Sequence, residues 1–255
     1  MKINPKKHLG QHFLLDQSIA QRTAELVPQT EDELVLEVGP GTGILTKWLT
    51  KRFQENFLAV EVDRQSISYL IDNDILRKEK IIDQDFLTLD LKELSNGKAI
   101  HIVGNFPYHI SSQIVFHSLD FRDQVSSLTG MFQKEVAQRL AANPGSKTFG
   151  IITILSRLWY DCDYHFTIGP EVFNPPPNVL SGVIQMNRNN RKSISFPEPD
   201  FARLVKTAFN QRRKTLRNSL KSSYDIGLLP QEFAGQRPEQ LSENDFLKLA
   251  KSMLV

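Results

Sequence analysis

The sequence predicts an α/β fold with a mostly parallel sheet, followed by a small all-helical lobe. Through the first two thirds of its 255 residues, short apolar runs alternate with amphipathic helical patterns, as in parallel strands joined by crossover helices. After Asn187 the chain becomes polar and basic, and Pro197 and Pro199 interrupt it, so a linker is expected there. Beyond the linker, apolar residues recur at helical spacing.

The first part of the chain has apolar runs that are bounded by turn or capping residues. The runs predict strands at residues 34–38, 57–62, 80–84, 100–104 and 126–132. Helices are expected between and after them, at residues 44–52, 66–73, 112–118 and 134–141. Two further stretches, 160–168 and 182–186, flank a turn-rich segment with three successive prolines. They are expected to form an antiparallel hairpin that closes the sheet edge.

The C-terminal lobe is predicted to begin with a strongly amphipathic helix. Its apolar positions are Phe201, Leu204, Val205, Ala208 and Phe209, and Asp200 is the expected N-cap. We therefore expect a catalytic domain at residues 1–190 and a helical RNA-binding domain at residues 196–255.

Composition excludes several classes of protein. A chain of this length with 40% hydrophobic residues can bury one sizeable core and still form an accessory lobe. The single cysteine, Cys162, excludes an internal disulfide and a multi-cysteine zinc site. No stretch has the apolar length of a signal peptide or a membrane span. We expect a cytoplasmic protein with no membrane role.

Positive charge is concentrated near the start of the C-terminal lobe. From Arg188 to Lys221 there are ten Lys or Arg residues and two acids, a net charge of +8, whereas the whole chain carries +2. Such a concentration favours a polyanionic partner, because phosphate contacts supply most sequence-independent affinity for nucleic acids. An ordinary solvated helix face would show the same charge.

A glycine-rich turn follows the first predicted strand. Glu37-Val38-Gly39-Pro40-Gly41-Thr42-Gly43 leads into a helix, where glycines let a ligand approach the backbone and the helix start presents free N–H groups. Glu61 ends the second strand, where a carboxylate can accept hydrogen bonds from ribose hydroxyls. The spacing differs from the G-x-G-x-x-G of nicotinamide dinucleotide sites. The pattern indicates a different nucleoside cofactor.

The tetrapeptide Asn105-Phe106-Pro107-Tyr108 directly follows the fourth strand, at the sheet edge where open α/β folds bind ligands. An exocyclic adenine amine is a weak nucleophile because its lone pair is conjugated into the ring. Two acceptors, the Asn105 side-chain carbonyl and the Pro107 backbone carbonyl, would favour the pyramidal nitrogen that attacks a sulfonium methyl. Tyr108 can stack on the base. The tetrapeptide therefore predicts methyl transfer to an adenine amine.

Together these motifs resemble those of the KsgA-type ribosomal RNA adenine dimethyltransferases, over nearly the whole chain. The likeness includes Lys6-Lys7-His8-Leu9-Gly10-Gln11-His12-Phe13-Leu14 near the N-terminus and Gln133-Lys134-Glu135-Val136-Ala137 after the fifth strand. It extends to Val172-Phe173-Asn174-Pro175-Pro176-Pro177 and to the segment from Phe209 to Asn218, which separates this family from most other methyltransferases. The resemblance implies a Rossmann-like, seven-stranded methyltransferase sheet.

The resemblance also implies site residues. Matching positions implicate S-adenosylmethionine as the cofactor, bound by His12, Leu14, Gly39, Gly41, Glu61, Asp85 and Asn105. The catalytic group comprises Asn105, Pro107, Tyr108 and Phe173, with Phe173 and Tyr108 enclosing the target adenine. RNA contacts are expected from Lys6, Lys7, Arg212, Arg213, Lys214 and Arg217. No metal is expected, since the reaction needs none.

The chain departs from the family pattern at three positions. Leu180 stands where an aspartate is usual, and Phe149 and Ile151 replace a tyrosine and an arginine. These changes affect local hydrogen bonds rather than the cofactor or amine sites.

The expected function is dimethylation of N6 on two adjacent adenosines near the 3′ end of 16S rRNA. The enzyme would act as a monomer on a small ribosomal subunit precursor and contribute to subunit maturation. Two alternatives stay open. One is an Erm-type dimethyltransferase that acts on large-subunit RNA. The other is a ribosome-assembly factor that acts mainly by binding.

Overall fold

Seven strands form one mixed sheet in the computed structural model, which describes residues 3–29 and 32–254. Nine strands occur in the described residues, and β1 and β8 pair separately as a two-stranded sheet. They are β1 Phe13–Leu14, β2 Leu34–Val38, β3 Phe57–Glu61, β4 Ile81–Asp83, β5 Ile100–Asn105, β6 Val125–Gln133, β7 Tyr160–Ile168, β8 Phe173–Asn174 and β9 Ser181–Arg188.

Eleven α-helices lie in the described residues, along with several short 3-10 turns. They are α1 Gln17–Leu26, α2 Thr46–Phe53, α3 Arg64–Asp72, α4 Leu91–Ser95, α5 Ser111–Asp120, α6 Lys134–Leu140, α7 Ile151–Arg157, α8 Glu198–Asn210, α9 Leu216–Leu220, α10 Gln231–Ala234 and α11 Glu243–Leu254. In this described part of the chain, no helix is long and apolar enough to cross a membrane.

The order of the large sheet is β4-β3-β2-β5-β6-β9-β7. The first five strands in this order, from β4 to β6, run parallel to one another. Strand β9 runs antiparallel to β6. All five residues of β2 are buried, as expected for a central strand of a parallel sheet. After β2 the chain adds β3 and β4 on one side of the sheet, and after β5 it adds β6 on the other side. The switch point of this Rossmann-like sheet, where ligands bind in such folds, therefore lies between β2 and β5.

The expected strands of the large sheet are confirmed, with shifts of one or two residues at their ends. Strand β9 lies beside the edge strand β7, so this pair closes the sheet edge as expected. Helix α1 is a difference, since the sequence pattern does not predict it. Asp16 caps it by accepting hydrogen bonds from the backbone N–H groups of Ser18 and Ile19. Its buried face consists of small residues, Ala20, Thr23 and Ala24, which give a weak hydrophobic pattern.

The prediction that Asp200 caps the first C-terminal helix is wrong. Helix α8 begins at Glu198, with Pro197 as its N-cap. Pro199 fits in the first turn because its missing N–H has no intrahelical acceptor there and its fixed φ suits a helix. Asp200 is instead inside the first turn, where its carboxylate pairs with Arg203 at 2.7 Å.

The chain divides into two compact units. The first contains the described chain up to Ala137 together with Asp163–Arg188, and the second contains Gln138–Cys162 and the chain from Asn189 onward. Residues 138–162 thus group with the C-terminal helices, whereas the sequence predicts a single boundary near residue 190. The reason is that α7 packs against α8 and α11. The assignment of catalysis and RNA binding to separate domains stays a prediction.

The Phe106 side chain anchors the turn that follows β5. Its ring is 1% exposed and lies against Gly104 of β5 and Gly130 of β6, which are paired in register. A Cβ on Gly104 would come within 2.9 Å of the ring, and one on Gly130 would meet the ring and lie 2.6 Å from the Gly104 carbonyl oxygen. The two glycines therefore make the space that the second residue of the tetrapeptide fills.

Replacing Gly130 with alanine should reduce stability by about 1–3 kcal/mol, because the added methyl group overpacks the Phe106 ring against β5. Urea unfolding of the purified protein measures this change. Gly235→Ala is the matched control, since Gly235 has a helical φ and nothing lies within 4 Å of its missing Cβ. Equal unfolding midpoints for both variants would contradict the packing role of Gly130.

Candidate active site

A cavity of about 220 Å³ lies at the carboxyl ends of β2, β3 and β5. Its walls come from the glycine-rich turn after β2, the ends of β3 and β4, the tetrapeptide after β5, and the N-terminal residues from Leu9 to Leu14. The structure thus brings the cofactor and catalytic residues expected from the sequence to one place, with the exception of Phe173.

The glycine-rich turn has backbone conformations that favour glycine. Gly39, Gly41 and Gly43 have φ values of +69°, +53° and +77°. A Cβ on Gly39 would meet nothing within 4 Å, so this backbone faces open space that a ligand can fill. A Cβ on Gly41 would lie 2.9 Å from the Phe13 ring, which closes the turn from the other side. The turn therefore fits close approach by a bound cofactor.

The Glu61 carboxylate lies at the end of β3 and is 6% exposed. Its Oε1 accepts hydrogen bonds from the backbone N–H groups of Val62 and Asp63, both at 2.9 Å, and its Oε2 accepts one from Gly41 at 3.3 Å. Burial raises the pKa of Glu61, and these backbone donors oppose the shift. Because a carboxylate accepts about four hydrogen bonds, about one position on Oε2 is left for a ligand.

Glu37 is a second acid in the cavity wall, and its side chain is buried at the end of β2. Burial raises its pKa to about 8, with a further upward contribution from the nearby Glu61 charge, although a 2.7 Å hydrogen bond from Thr46 Oγ1 opposes the shift. Glu37 is therefore mainly protonated at neutral pH. The sequence motif marks this acid but gives no indication of its charge state.

Asp85 lines the cavity just after β4 and is exposed. Its Oδ1 accepts a hydrogen bond from the Leu87 backbone N–H at 2.9 Å, which holds the side chain at the start of a 3-10 turn. The other carboxylate oxygen is available as an acceptor for an amino group. Val62, 53% exposed, supplies an apolar surface in the same wall.

Asn105 and Pro107 also line the cavity. The Asn105 side-chain Nδ2 donates a 2.7 Å hydrogen bond to the His12 backbone carbonyl. An amide that uses its nitrogen in this way leaves Oδ1 as an acceptor. The Pro107 carbonyl accepts the Ile110 backbone N–H at 3.1 Å and, having two lone pairs, can accept a second donor.

Tyr108 is held on two sides. Its hydroxyl lies 2.5 Å from the Ser181 Oγ, and its ring stacks with His12 at a centroid distance of 5.4 Å. Burial raises the pKa of the phenol, which the hydrogen bond to Ser181 partly opposes. Ser181 carries no signal in the sequence, because the contact joins residues 73 positions apart.

Phe173 does not line the cavity. Phe173 is 2% exposed and packs in an apolar cluster with Leu14, Met131 and Val183. Strand β8, which contains Phe173, pairs with β1, and this pairing places Leu14 beside it in register. In this structure His12 is the ring against Tyr108, and the expectation that Phe173 covers the target base stays a prediction.

The N-terminal residues are fixed by polar contacts that the sequence does not reveal. His12 Nδ1 lies 2.7 Å from the Pro175 carbonyl oxygen. Lys6 Nζ and Gln11 Nε2 donate to the buried carboxylate of Asp63, at 2.6 and 2.9 Å. Asp63 is two residues beyond Glu61, and as the N-cap of α3 it gives no separate sequence signal of this role.

The basic residues expected to bind RNA differ in exposure. Lys6 pairs with Asp63, and the Arg212 guanidinium donates to the backbone carbonyls of Ser146 and Lys147. Lys7, Arg213, Lys214 and Arg217 are all exposed. The outward-facing members of the set are therefore Lys7, Arg213, Lys214 and Arg217.

The fold and the site together define a Rossmann-like methyltransferase. Comparison with known proteins gives the family. The model of the ribosomal RNA adenine dimethylase family matches residues 2–248. A protein of Parabacteroides distasonis named ribosomal RNA small subunit methyltransferase A is 49% identical over 251 residues, which cover 97% of this chain and 93% of that protein. The chain belongs to the ribosomal RNA adenine dimethylase family.

Two solved structures share the fold. A dimethyladenosine transferase from Plasmodium falciparum superposes with a TM-score of 0.79 at 23% identity, covering 94% of this chain and 96% of that one. The 23S rRNA methyltransferase ErmE superposes with a TM-score of 0.75 at 21% identity, covering 95% and 100%. At these identities the likeness supports the fold alone.

Replacing Glu37 with glutamine should flatten the dependence of stability on pH. The folded protein holds a proton on Glu37 up to about pH 8, whereas the unfolded chain releases it near pH 4.5. Stability should therefore fall as pH rises between these values, at up to about 1.4 kcal/mol per pH unit, and the variant should lack this contribution. Urea unfolding between pH 5 and 8 measures it. Glu93→Gln, at an exposed position, is the control, and parallel curves for both variants would contradict a protonated Glu37.

Proposed function

We propose that this enzyme transfers two methyl groups from S-adenosylmethionine to N6 of each of two adjacent adenosines near the 3′ end of 16S rRNA, within a small ribosomal subunit precursor. The observation that carries the proposal is that the Asn105 to Tyr108 tetrapeptide lines the same cavity as Gly39, Glu61 and Asp85. The small-subunit substrate is supported by the name of the Parabacteroides distasonis relative.

The donor would be held by the residues around the glycine-rich turn. The open space at Gly39 fits a close backbone contact, and the remaining acceptor position of Glu61 fits a ribose hydroxyl. The exposed oxygen of Asp85 fits the adenine amino group. The backbone between His12 and Leu14 and the Gly41 turn would close over the ligand. When bound, the donor supplies an electrophilic methyl group.

Asn105 and Pro107 would act on the acceptor amine. Asn105 Oδ1 and the Pro107 carbonyl oxygen accept hydrogen bonds from the two N–H groups of the adenine amine. This stabilises a pyramidal nitrogen whose lone pair can attack the methyl group. The new N–C bond forms as the C–S bond breaks in line, and the methylated nitrogen then loses a proton to water. No side chain is assigned as a general base, since an amide cannot take the proton. Tyr108 would hold the base by stacking.

Replacing Asn105 with alanine should lower methyl transfer to small subunits by about 10²–10³-fold, because a preorganised acceptor at the transition state is removed. Donor binding, measured by calorimetry, should persist. Asn73→Ala, at an exposed position at the end of α3, is the control. Turnover retained in the Asn105 variant would refute the assigned role.

The substrate can be tested by offering labelled S-adenosylmethionine with purified small and large subunits from cells that lack this enzyme. We expect label in 16S rRNA, on two neighbouring adenosines, when modified nucleotides are mapped. Label confined to large-subunit RNA would overturn the proposal and indicate an Erm-type enzyme.

The exposed residues Arg213, Lys214 and Arg217 are proposed to contact RNA phosphates. Replacing Arg213 and Lys214 together with glutamine should weaken binding to small subunits and reduce the slope of log affinity against log salt by roughly one unit for each lost contact. Lys251→Gln, an exposed change in α11, is the control. An unchanged slope would place the RNA contact elsewhere on the protein.

A further inference from the structure

The N-terminal segment, defined as residues 6–14, forms one wall of the cavity. It is fastened at both ends. Lys6 and Gln11 bind Asp63, which lies two residues after Glu61. At the other end, Phe13 and Leu14 pair with β8. Within the segment, the Lys6 backbone N–H donates to the Gln11 side-chain Oε1 at 2.8 Å, which closes a small loop. The segment is therefore held in one conformation over the site by contacts to residues distant in sequence.

Asp63 is the centre of the first attachment. Its side chain has no exposed surface, whereas that of Lys6 is 31% exposed, so the ion pair is shielded from solvent on the acid's side. Burial raises the pKa of Asp63, but hydrogen bonds from Lys6, Gln11 and Gln65 outweigh it, and the net pKa is lowered. The acid is thus a charged anchor, unlike the exposed surface pairs that contribute little.

Gln11 connects this anchor to the catalytic tetrapeptide. The next residue, His12, presents its backbone carbonyl to Asn105 Nδ2 at 2.7 Å. A carbonyl oxygen accepts only from the nitrogen of an amide, since the opposite orientation would bring two oxygens together. The His12 carbonyl therefore sets which way the Asn105 amide points, and it leaves Oδ1 as the acceptor for the substrate.

We propose that Asp63 is a positioning residue for methyl transfer: by binding Lys6 and Gln11 it keeps the His12 carbonyl against Asn105, so that Asn105 presents Oδ1 to the target amine. This inference rests on the proposed function. It gives Lys6, which is expected from the sequence to contact RNA, a role inside the site. Asp63 also donates its backbone N–H to Glu61, so the anchor is adjacent to the cofactor-binding acid.

The test uses Asp63→Asn in the full-length protein. Asparagine is also a good N-cap for α3, but it removes the charge that attracts Lys6. We expect kcat to fall by about 10- to 100-fold, as for other small misplacements of a catalytic group, with a smaller change in the KM for S-adenosylmethionine. Hydrogen exchange of residues 8–14 should rise, whereas that of α3 should stay unchanged.

Lys6→Met should give the same loss of kcat, and the double variant should be no worse than either single one, because both remove one interaction. Asp90→Asn is the matched control. Asp90 also caps a helix, α4, through its side chain, and it accepts its hydrogen bonds from the Lys92 and Glu93 backbone N–H groups of that helix. It should leave kcat and exchange unchanged.

The proposal is overturned if Asp63→Asn raises only the KM for the donor, or if its exchange increase is confined to α3, which would indicate a purely structural cap. Failure of the proposed function is distinguishable. In that case the wild-type protein itself would transfer no methyl groups to small subunits, whereas hydrogen exchange would still report whether Asp63 holds the N-terminal segment.

Discussion

The hydrogen bond from the Asn105 amide to the His12 carbonyl joins two parts of the chain that the sheet alone would not connect. Asn105 is fixed by β5 and by the Phe106 ring packed on Gly104 and Gly130. His12 belongs to a segment with little regular structure of its own. Because this bond orients the amide, the chemistry expected of the tetrapeptide depends on where the N-terminal segment lies, and the cavity has a defined wall only while that segment is in place.

Two buried acids in this cavity have different surroundings, although burial raises the pKa of both. Glu61 accepts three backbone N–H groups, which oppose the upward shift of its pKa, whereas Glu37 has one hydroxyl donor and its pKa rises to about 8. Two unneutralised charges so close together would repel, so the proton on Glu37 also favours the ionised form of Glu61. Of the two acids, the one at the end of β3 therefore has the surroundings that better support a carboxylate charge.

The parts of the site that the sequence predicts are those encoded by neighbouring residues. The glycine turn and the tetrapeptide each follow a strand directly, and strand ends in a parallel sheet meet at one edge, so their convergence follows from the local pattern. Asp63, Ser181 and the burial of Phe173 depend instead on contacts with residues far away in sequence. An aspartate that caps a helix looks the same in sequence whether or not a lysine reaches it. Likewise, an apolar phenylalanine beside prolines fits both a stacking ring and a core residue.

Charge shows the same limit in two adjacent pairs of basic residues. Lys6 turns inward to a buried carboxylate, while Lys7 is exposed, and Arg212 donates to backbone carbonyls, while Arg213 is exposed. Within each pair the charge and the sequence position are almost the same. The difference arises from what the fold places nearby, because a buried acceptor is stabilised by the donors that can reach it. A basic stretch therefore marks a surface that can meet phosphate, but only its outward members are available to bind it.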